Sequence, residues 1–187
     1  MDDGERKEFE RAALEHLDAL YGFALSLARN STDAEDLVQE AYLRGIRAAR
    51  QTRPTGDLKA WLFTILRNIW INERRRQARG PEFLAVDSVL QSSEEKTEWM
   101  SDEADRPDVR LERRLLREQI RAAIERLPES FREVIMLRCI EGFSYNQIAQ
   151  ILDCPAGTVM SRLNRARSEL RRYLSNFIDE HAKEVGK

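Results

Sequence analysis

The chain has 187 residues, 34 % of them charged and 42 % hydrophobic, with a net charge of −2. That length accommodates one ordinary domain or two small ones, and no apolar run approaches the roughly 18 residues of a bilayer span. Two cysteines, Cys139 and Cys154, and two distant histidines, His16 and His181, form neither a disulfide framework nor a metal-ligand spacing.

In chain order, the spacing predicts a first helix over residues 5–29, with Leu14, Leu17, Tyr21, Ala24, Leu25 and Ala28 inward. Asn30, Ser31 and Thr32 end it. Thr32 and Glu35 read as a capping box for a second helix that carries Ala34, Leu37, Val38, Ala41, Tyr42 and Ile46 on its core side. This helix is acidic at its start and basic at its end, which suits the helix dipole. Residues 51–57 hold breaker chemistry (Pro54, Gly56), and Asp57 caps a third helix reaching about Arg79. Its inward row is Leu62, Ile65, Leu66, Ile69 and Glu73. Its outward row is Thr64, Arg67, Asn68, Ile71, Arg74 and Arg75. Trp61 stands at the boundary, where it either stacks a base or packs on the flank. Trp70 reads as flank packing.

Residues 82–108 show little periodicity and hold nine acids against two bases, the composition of a flexible acidic linker. A helix follows with Val109, Leu115, Leu116, Ile120, Ala123, Ile124 and Leu127, ended by Pro128. A shorter one carries Phe131, Val134, Ile135 and Leu137 and closes at Gly142. Ser144 with Gln147 then forms a capping box, and Ile148, Ala149, Ile151 and Leu152 supply a buried stripe. Asp153, Cys154 and Pro155 break that helix, because proline lacks the donor and biases its predecessor away from helical angles. A second helix restarts near Pro155 and runs past Arg172, and the tail after Tyr173 reads as a fading helix.

Helix, tight turn, helix is the helix-turn-helix pattern, whose second helix enters the major groove. At roughly 100° per residue, Val159, Leu163, Ala166 and Leu170 fall on one side. Ser161, Asn164, Arg165, Ser168 and Arg172 fall opposite, with Thr158 at the edge. Residues 162–172 hold five arginines and one acid, Glu169. A basic face alone is equally a solvated face, but the capped first helix, the broken turn and the Ser/Asn/Arg composition favour DNA. Residues 61–79 likewise hold five arginines and one acid. A net charge near zero therefore conceals two basic helices separated by an acidic segment. Arginines that track phosphates beside flat rings that stack bases are how single strands are held.

The fold expected is all-α: two small helical domains, residues 1–80 and 108–187, joined by a flexible acidic linker over 81–107. No glycine-rich phosphate loop, nucleophile motif or metal-ligand cluster is present, so no enzyme, cofactor or metal is expected. The cysteines read as buried structural thiols in a reducing compartment. With no signal peptide, the expected location is the cytoplasm, away from any membrane.

These motifs together resemble the extracytoplasmic-function (ECF) group of RNA polymerase sigma factors, a branch of the sigma-70 family. Residues 33–40, DAEDLVQE, resemble the family's signature helix, which binds the clamp coiled coil of the polymerase beta-prime subunit. The resemblance assigns Asp33, Glu35, Asp36, Leu37, Gln39 and Glu40 to that contact. Residues 61–68, WLFTILRN, resemble the helix that melts and reads the minus-ten promoter element. Arg53, Thr55 and Asp57 match the loop that holds a flipped base. Trp61, Thr64, Arg67, Asn68, Asn72, Arg74 and Arg75 match the strand-binding surface. Leu127-Pro128 with Phe131-Arg132, residues 142–145 and residues 157–162 resemble the domain that reads the minus-thirty-five element. Ser144, Thr158, Met160, Ser161, Arg162, Asn164, Arg165 and Arg172 are its implied DNA contacts. Met160 and Asn164 depart from the residues common there, so the resemblance does not specify the promoter bases read; asparagine can pair with adenine.

The resemblance implies core polymerase, through the beta-prime clamp and the beta flap, and duplex and melted promoter DNA as partners. It also implies an anti-sigma factor, and a protein that is monomeric when free. Residues 154–162 resemble ECF members tied to thiol stress through zinc-containing anti-sigma partners. Two other classes remain open on the residues alone: a free-standing, dimeric helix-turn-helix regulator, and an adaptor that binds polymerase without reading DNA.

Overall fold

A computed structural model describes residues 3–51, 56–79 and 107–185, and among these every regular element is helical. The linker expected at 81–107 lies outside the described residues, apart from Pro107. The expected first helix is two helices, α1 (Asp3–Leu14) and α2 (Leu17–Ala28). The break falls at Glu15 and His16, where the His16 amide donates to the Ala13 carbonyl and the Tyr42 hydroxyl donates to the same oxygen. Leu14 and Leu17 therefore flank a corner and are exposed, contrary to the expected stripe. Ala24 is buried as expected, joined by Leu20, Phe23 and Leu27, and Tyr21, Leu25 and Ala28 are partly buried against them.

α3 (Ser31–Gln51) starts earlier than expected. Its cap is Asn30, whose Oδ1 accepts from the Asp33 amide at 2.8 Å while its Nδ2 donates to the Asp33 carboxylate. The Thr32–Glu35 box is thus replaced by a cap two residues upstream. Ala34, Leu37, Val38 and Ala41 are buried as expected. Gly45 is where α3 meets α4 (Leu58–Arg79), and a Cβ there would lie 3.2 Å from the Leu62 side chain. The Asp57 cap of α4 is present, its Oδ1 accepting from the Ala60 amide at 3.2 Å.

α5 (Pro107–Glu125) departs from its apolar pattern: Leu115, Leu116 and Ile120 are exposed, whereas Ala123 is buried and Ile124 half-buried. α6 (Glu129–Ile135) runs into a π turn (Met136–Ile140), and Gly142 takes a positive φ of 77° to reverse the chain. α7 (Tyr145–Ile151) has the capping box expected of it, with the Ser144 side chain and the Gln147 side chain each serving the other's amide. α8 (Ala156–Val185) is one helix that continues to Val185, beyond the fading expected after Tyr173.

The two halves share one core. Phe23 of α2 stacks on Phe63 of α4 at 5.2 Å, and Phe143, in the loop before α7, meets Phe63 edge-on at 5.0 Å. Such pairs contribute about 0.5–1.5 kcal/mol each beyond the area they bury. Arg132 of α6 is buried and donates to the Ser26 carbonyl near the C-terminus of α2, at 2.5 Å, and to the Leu127 carbonyl. In the other direction, Arg29 donates to the Glu125 carbonyl at the end of α5. An arginine from each half therefore meets the negative end of a helix in the other. Burial, and next the Arg29 charge, lower the Arg132 pKa from its ordinary value. Cys139 is exposed and Cys154 half-buried, so Cys139 is not the buried thiol expected.

Candidate nucleic-acid and polymerase interface

Three surfaces carry the expected residues. On α3, Asp33, Glu35, Asp36 and Gln39 are exposed, and the positive end of the helix stabilises the charge of Asp33 in its first turn. Glu40 pairs with Arg44 at 2.6 Å. Leu37 is the exception: it is buried in the core and supports the helix from beneath.

On α8, the inward and outward rows separate as the periodicity predicts. Val159, Leu163 and Ala166 are buried, whereas Met160, Ser161, Asn164, Arg165, Ser168 and Arg172 are exposed. Thr158 and Arg162 are half-buried at the edges. Two of the polar groups already have local partners: Ser161 donates to the Thr158 carbonyl at 3.0 Å, and Arg172 pairs with Glu169 at 2.5 Å. That hydrogen bond and the Glu169 charge raise the Arg172 pKa. The Ser144 hydroxyl is committed to its cap, where it donates to Gln147 at 2.8 Å.

On α4, the expected outward row is divided. Asn68, Asn72 and Arg75 are exposed, with Trp61 and Thr64 half-buried beside them. Trp61 meets Phe9 of α1 edge-on at 6.1 Å, and Thr64 donates to the Ala60 carbonyl. Ile71 is half-buried, so the expected exposed isoleucine is absent. Arg67 does not face solvent. Its Nε donates to Glu133 of α6 at 3.0 Å, in an ion pair whose side chains are 11 % and 6 % exposed. Trp70 donates to Glu129 at 2.8 Å, and Arg74 lies 3.6 Å from the same carboxylate. Asp57 accepts from Gln147 of α7 at 2.7 Å. Arg53 and Thr55 lie outside the described residues.

The sequence reading missed the partners on the other side of this seam: Glu129, Glu133, Glu141 and Gln147, together with Lys59. Lys59 contacts the Glu141 carboxylate at 2.8 Å. The available signal was Glu133, an acid within the apolar face of α6. Burial raises its pKa, with the Arg67 charge opposing. Among the described residues, no group of three or more potential ligands could hold a metal, and no helix is long and apolar enough to cross a membrane.

A helix-turn-helix with an open basic face, following a helical unit with its own basic helix, is the architecture of a DNA-binding transcription factor. Residues 13–80 match the family profile of Sigma-70 region 2, and residues 117–170 that of Sigma-70, region 4. The chain is 37 % identical over 154 residues to the ECF RNA polymerase sigma factor EcfG of Rhodopseudomonas palustris, covering 81 % of this chain and 77 % of that one. It is 36 % identical over 140 residues to the ECF RNA polymerase sigma-E factor of Escherichia coli K12, covering 75 % and 73 %. Among solved structures, the sigma factor RpoE from Bartonella quintana, in complex with the anti-sigma factor NepR, is 33 % identical. It superposes with a TM-score of 0.69 over 90 % of this chain and 98 % of that chain. The chain belongs to the ECF RNA polymerase sigma factors. It is a transcription initiation factor that binds core RNA polymerase and promoter DNA, and it is not an enzyme.

Proposed function

We propose that initiation proceeds through three surfaces of this chain. Core polymerase is held by Asp33, Glu35, Asp36, Gln39 and Glu40 on α3. The duplex is gripped at the upstream element by Thr158, Met160, Ser161, Arg162, Asn164 and Arg165 on α8, with Arg172 and the α7 cap toward the backbone. The downstream element is opened and its strand held by Trp61, Asn68, Asn72 and Arg75, joined by Asp57, Arg67 and Arg74. Capture of a flipped base must recover a few kcal/mol of unstacking. The division of labour is residues 1–80 for polymerase and the minus-ten element, residues 108–187 for the minus-thirty-five element, and residues 81–107 as the join. The chain acts in the cytoplasm, where core polymerase works.

The observation that carries this reading is the polar face of α8: Ser161, Asn164 and Arg165 exposed directly above buried Val159, Leu163 and Ala166. An anti-sigma factor controls the protein. This rests on the Bartonella quintana sigma factor, which was solved bound to one and matches nearly the whole chain. Run-off transcription with purified core polymerase and a promoter library tests the proposal. Selective initiation that depends on this protein is the expected result. Absence of both initiation and association with core would reject it.

A further inference from the structure

A cavity of about 380 Å³ lies where α2, α4 and α6 meet. Three guanidinium groups line it: Arg29 just after α2, Arg74 of α4 and Arg132 of α6. One carboxylate, Glu129, lines it with them. That acid is already engaged, since it accepts from the Trp70 indole at 2.8 Å and lies 3.6 Å from Arg74. Arg132 and Arg29 are bonded to carbonyl oxygens rather than to acids: those of Ser26 and Leu127 for the first, and of Glu125 for the second. A helix end supplies only about half a negative charge. The other acids that act on Arg132, Glu125 and Glu133, pair with Arg121 and Arg67. The lining therefore holds three cations against one anion.

Two further features set these arginines apart. Arg132 is buried, yet its Nε has no hydrogen-bond partner, a costly omission for a charged donor. Arg29 holds a left-handed φ of 63°, at a helix end where glycine or asparagine is usual. The fold thus brings like charges to one cavity without supplying their counter-charge. Leu27 and the Trp70 indole also line it, surfaces suited to a flat ring. The volume falls in the range of small-molecule sites, about 300–1,000 Å³, and exceeds what a lone phosphate fills.

We propose that this cavity binds a small diphosphate, its phosphates held between Arg29, Arg74 and Arg132. The planar fork of arginine suits phosphate oxygens. The diphosphate arrives either free, as inorganic pyrophosphate, or on a nucleoside whose base lies against Trp70 and Leu27. Arg74 is shared with the strand-binding surface proposed above, whereas Arg29 and Arg132 are not. The site therefore does not rest on the promoter reading.

Isothermal titration calorimetry of the full chain, without polymerase or DNA, tests it with inorganic phosphate, pyrophosphate, ADP and GDP. Pyrophosphate or a nucleoside diphosphate is expected to bind at a single site with a Kd below about 1 mM. It should also raise the melting temperature as its concentration rises. Arg29→Gln and Arg74→Gln, both at exposed positions, should each weaken binding by about tenfold or more. Arg47→Gln makes the same charge change on an exposed position of α3 and should bind as wild type does. Melting curves without ligand check that each variant folds. A nucleotide that binds more tightly than pyrophosphate, and loses that advantage in Trp70→Leu, places a base on the indole. Equal affinities in wild type assign the site to the inorganic ion. No heat and no melting shift with any probe up to about 1 mM overturns the proposal. So does undiminished binding by Arg29→Gln, or an Arg47→Gln loss as large as that of Arg29→Gln, which would report net charge alone. Inorganic phosphate binding as tightly as the diphosphates overturns it too. Run-off transcription judges the promoter reading separately.

Discussion

The two basic helices have nearly the same composition and opposite circumstances. α4 and α8 each carry arginines interleaved with asparagine and hydroxyl residues, and each buries one apolar stripe. On α8 the polar face meets solvent. On α4 half of it meets a row of carboxylates from the other half of the molecule. A helix's own periodicity specifies which side is apolar but not what stands opposite the polar side. That depends on the partner element. For α4 the partner contributes an acid about one turn apart at Glu129 and Glu133, and a third at Glu141.

The largest effect should come from the packing that holds this asymmetry. Phe143→Ala removes a buried ring against Phe63, a class of change that costs about 3–5 kcal/mol. Chemical denaturation should show that loss, whereas truncating exposed Ile140 to alanine should change stability by less than about 0.5 kcal/mol. Equal effects would mean that the seam is not packed as described.

Next in size is the open helix. Arg165→Ala should lower promoter-dependent run-off by roughly tenfold to a hundredfold, the equivalent of a lost base-edge or phosphate contact of about 1–3 kcal/mol. Arg165 is exposed, so the melting temperature should not move. A variant that transcribes normally would take recognition away from α8. Ser144→Ala should cost about 1 kcal/mol of stability by removing the α7 cap. It should weaken upstream binding only as far as α7 loosens.

The smallest effect concerns pH. Burial raises the Glu133 pKa above the ordinary 4.5. The packed form therefore takes up a proton at a pH where the unfolded chain does not. The associated stability is fully present below the ordinary value and is lost as pH rises through the raised one. Arg67 on α4 and Arg162 on α8 oppose the shift, and Glu129 on the same helix adds to it. Denaturation across that window should show wild type gaining stability relative to Glu133→Gln as pH falls from neutral. Parallel pH profiles for the two proteins would instead place Glu133 in solvent-like surroundings.

Much of this molecule was legible in the chain because it depends on residues within a few positions of each other. The Asp57 and Ser144 caps, the α7–turn–α8 break at Pro155 and the two sides of α8 are set by local hydrogen bonding and a 3.6-residue period. The order of the motifs was enough to point to the sigma family. The remainder needed groups distant in sequence. Tyr42, 29 residues away, donates to the Ala13 carbonyl at the corner where the expected first helix divides in two. Leu115, Leu116 and Ile120 share the periodicity of a core stripe, yet they are exposed while Ala123, near the C-terminal end of α5, is buried. Arg67 reads as an outward cation, and Glu133, 66 residues further on, draws it into a buried pair. Periodicity reports which side of a helix avoids water. The tertiary structure decided which of the remaining charges meet water and which meet each other, because that depends on the approach of a second surface that no local spacing encodes.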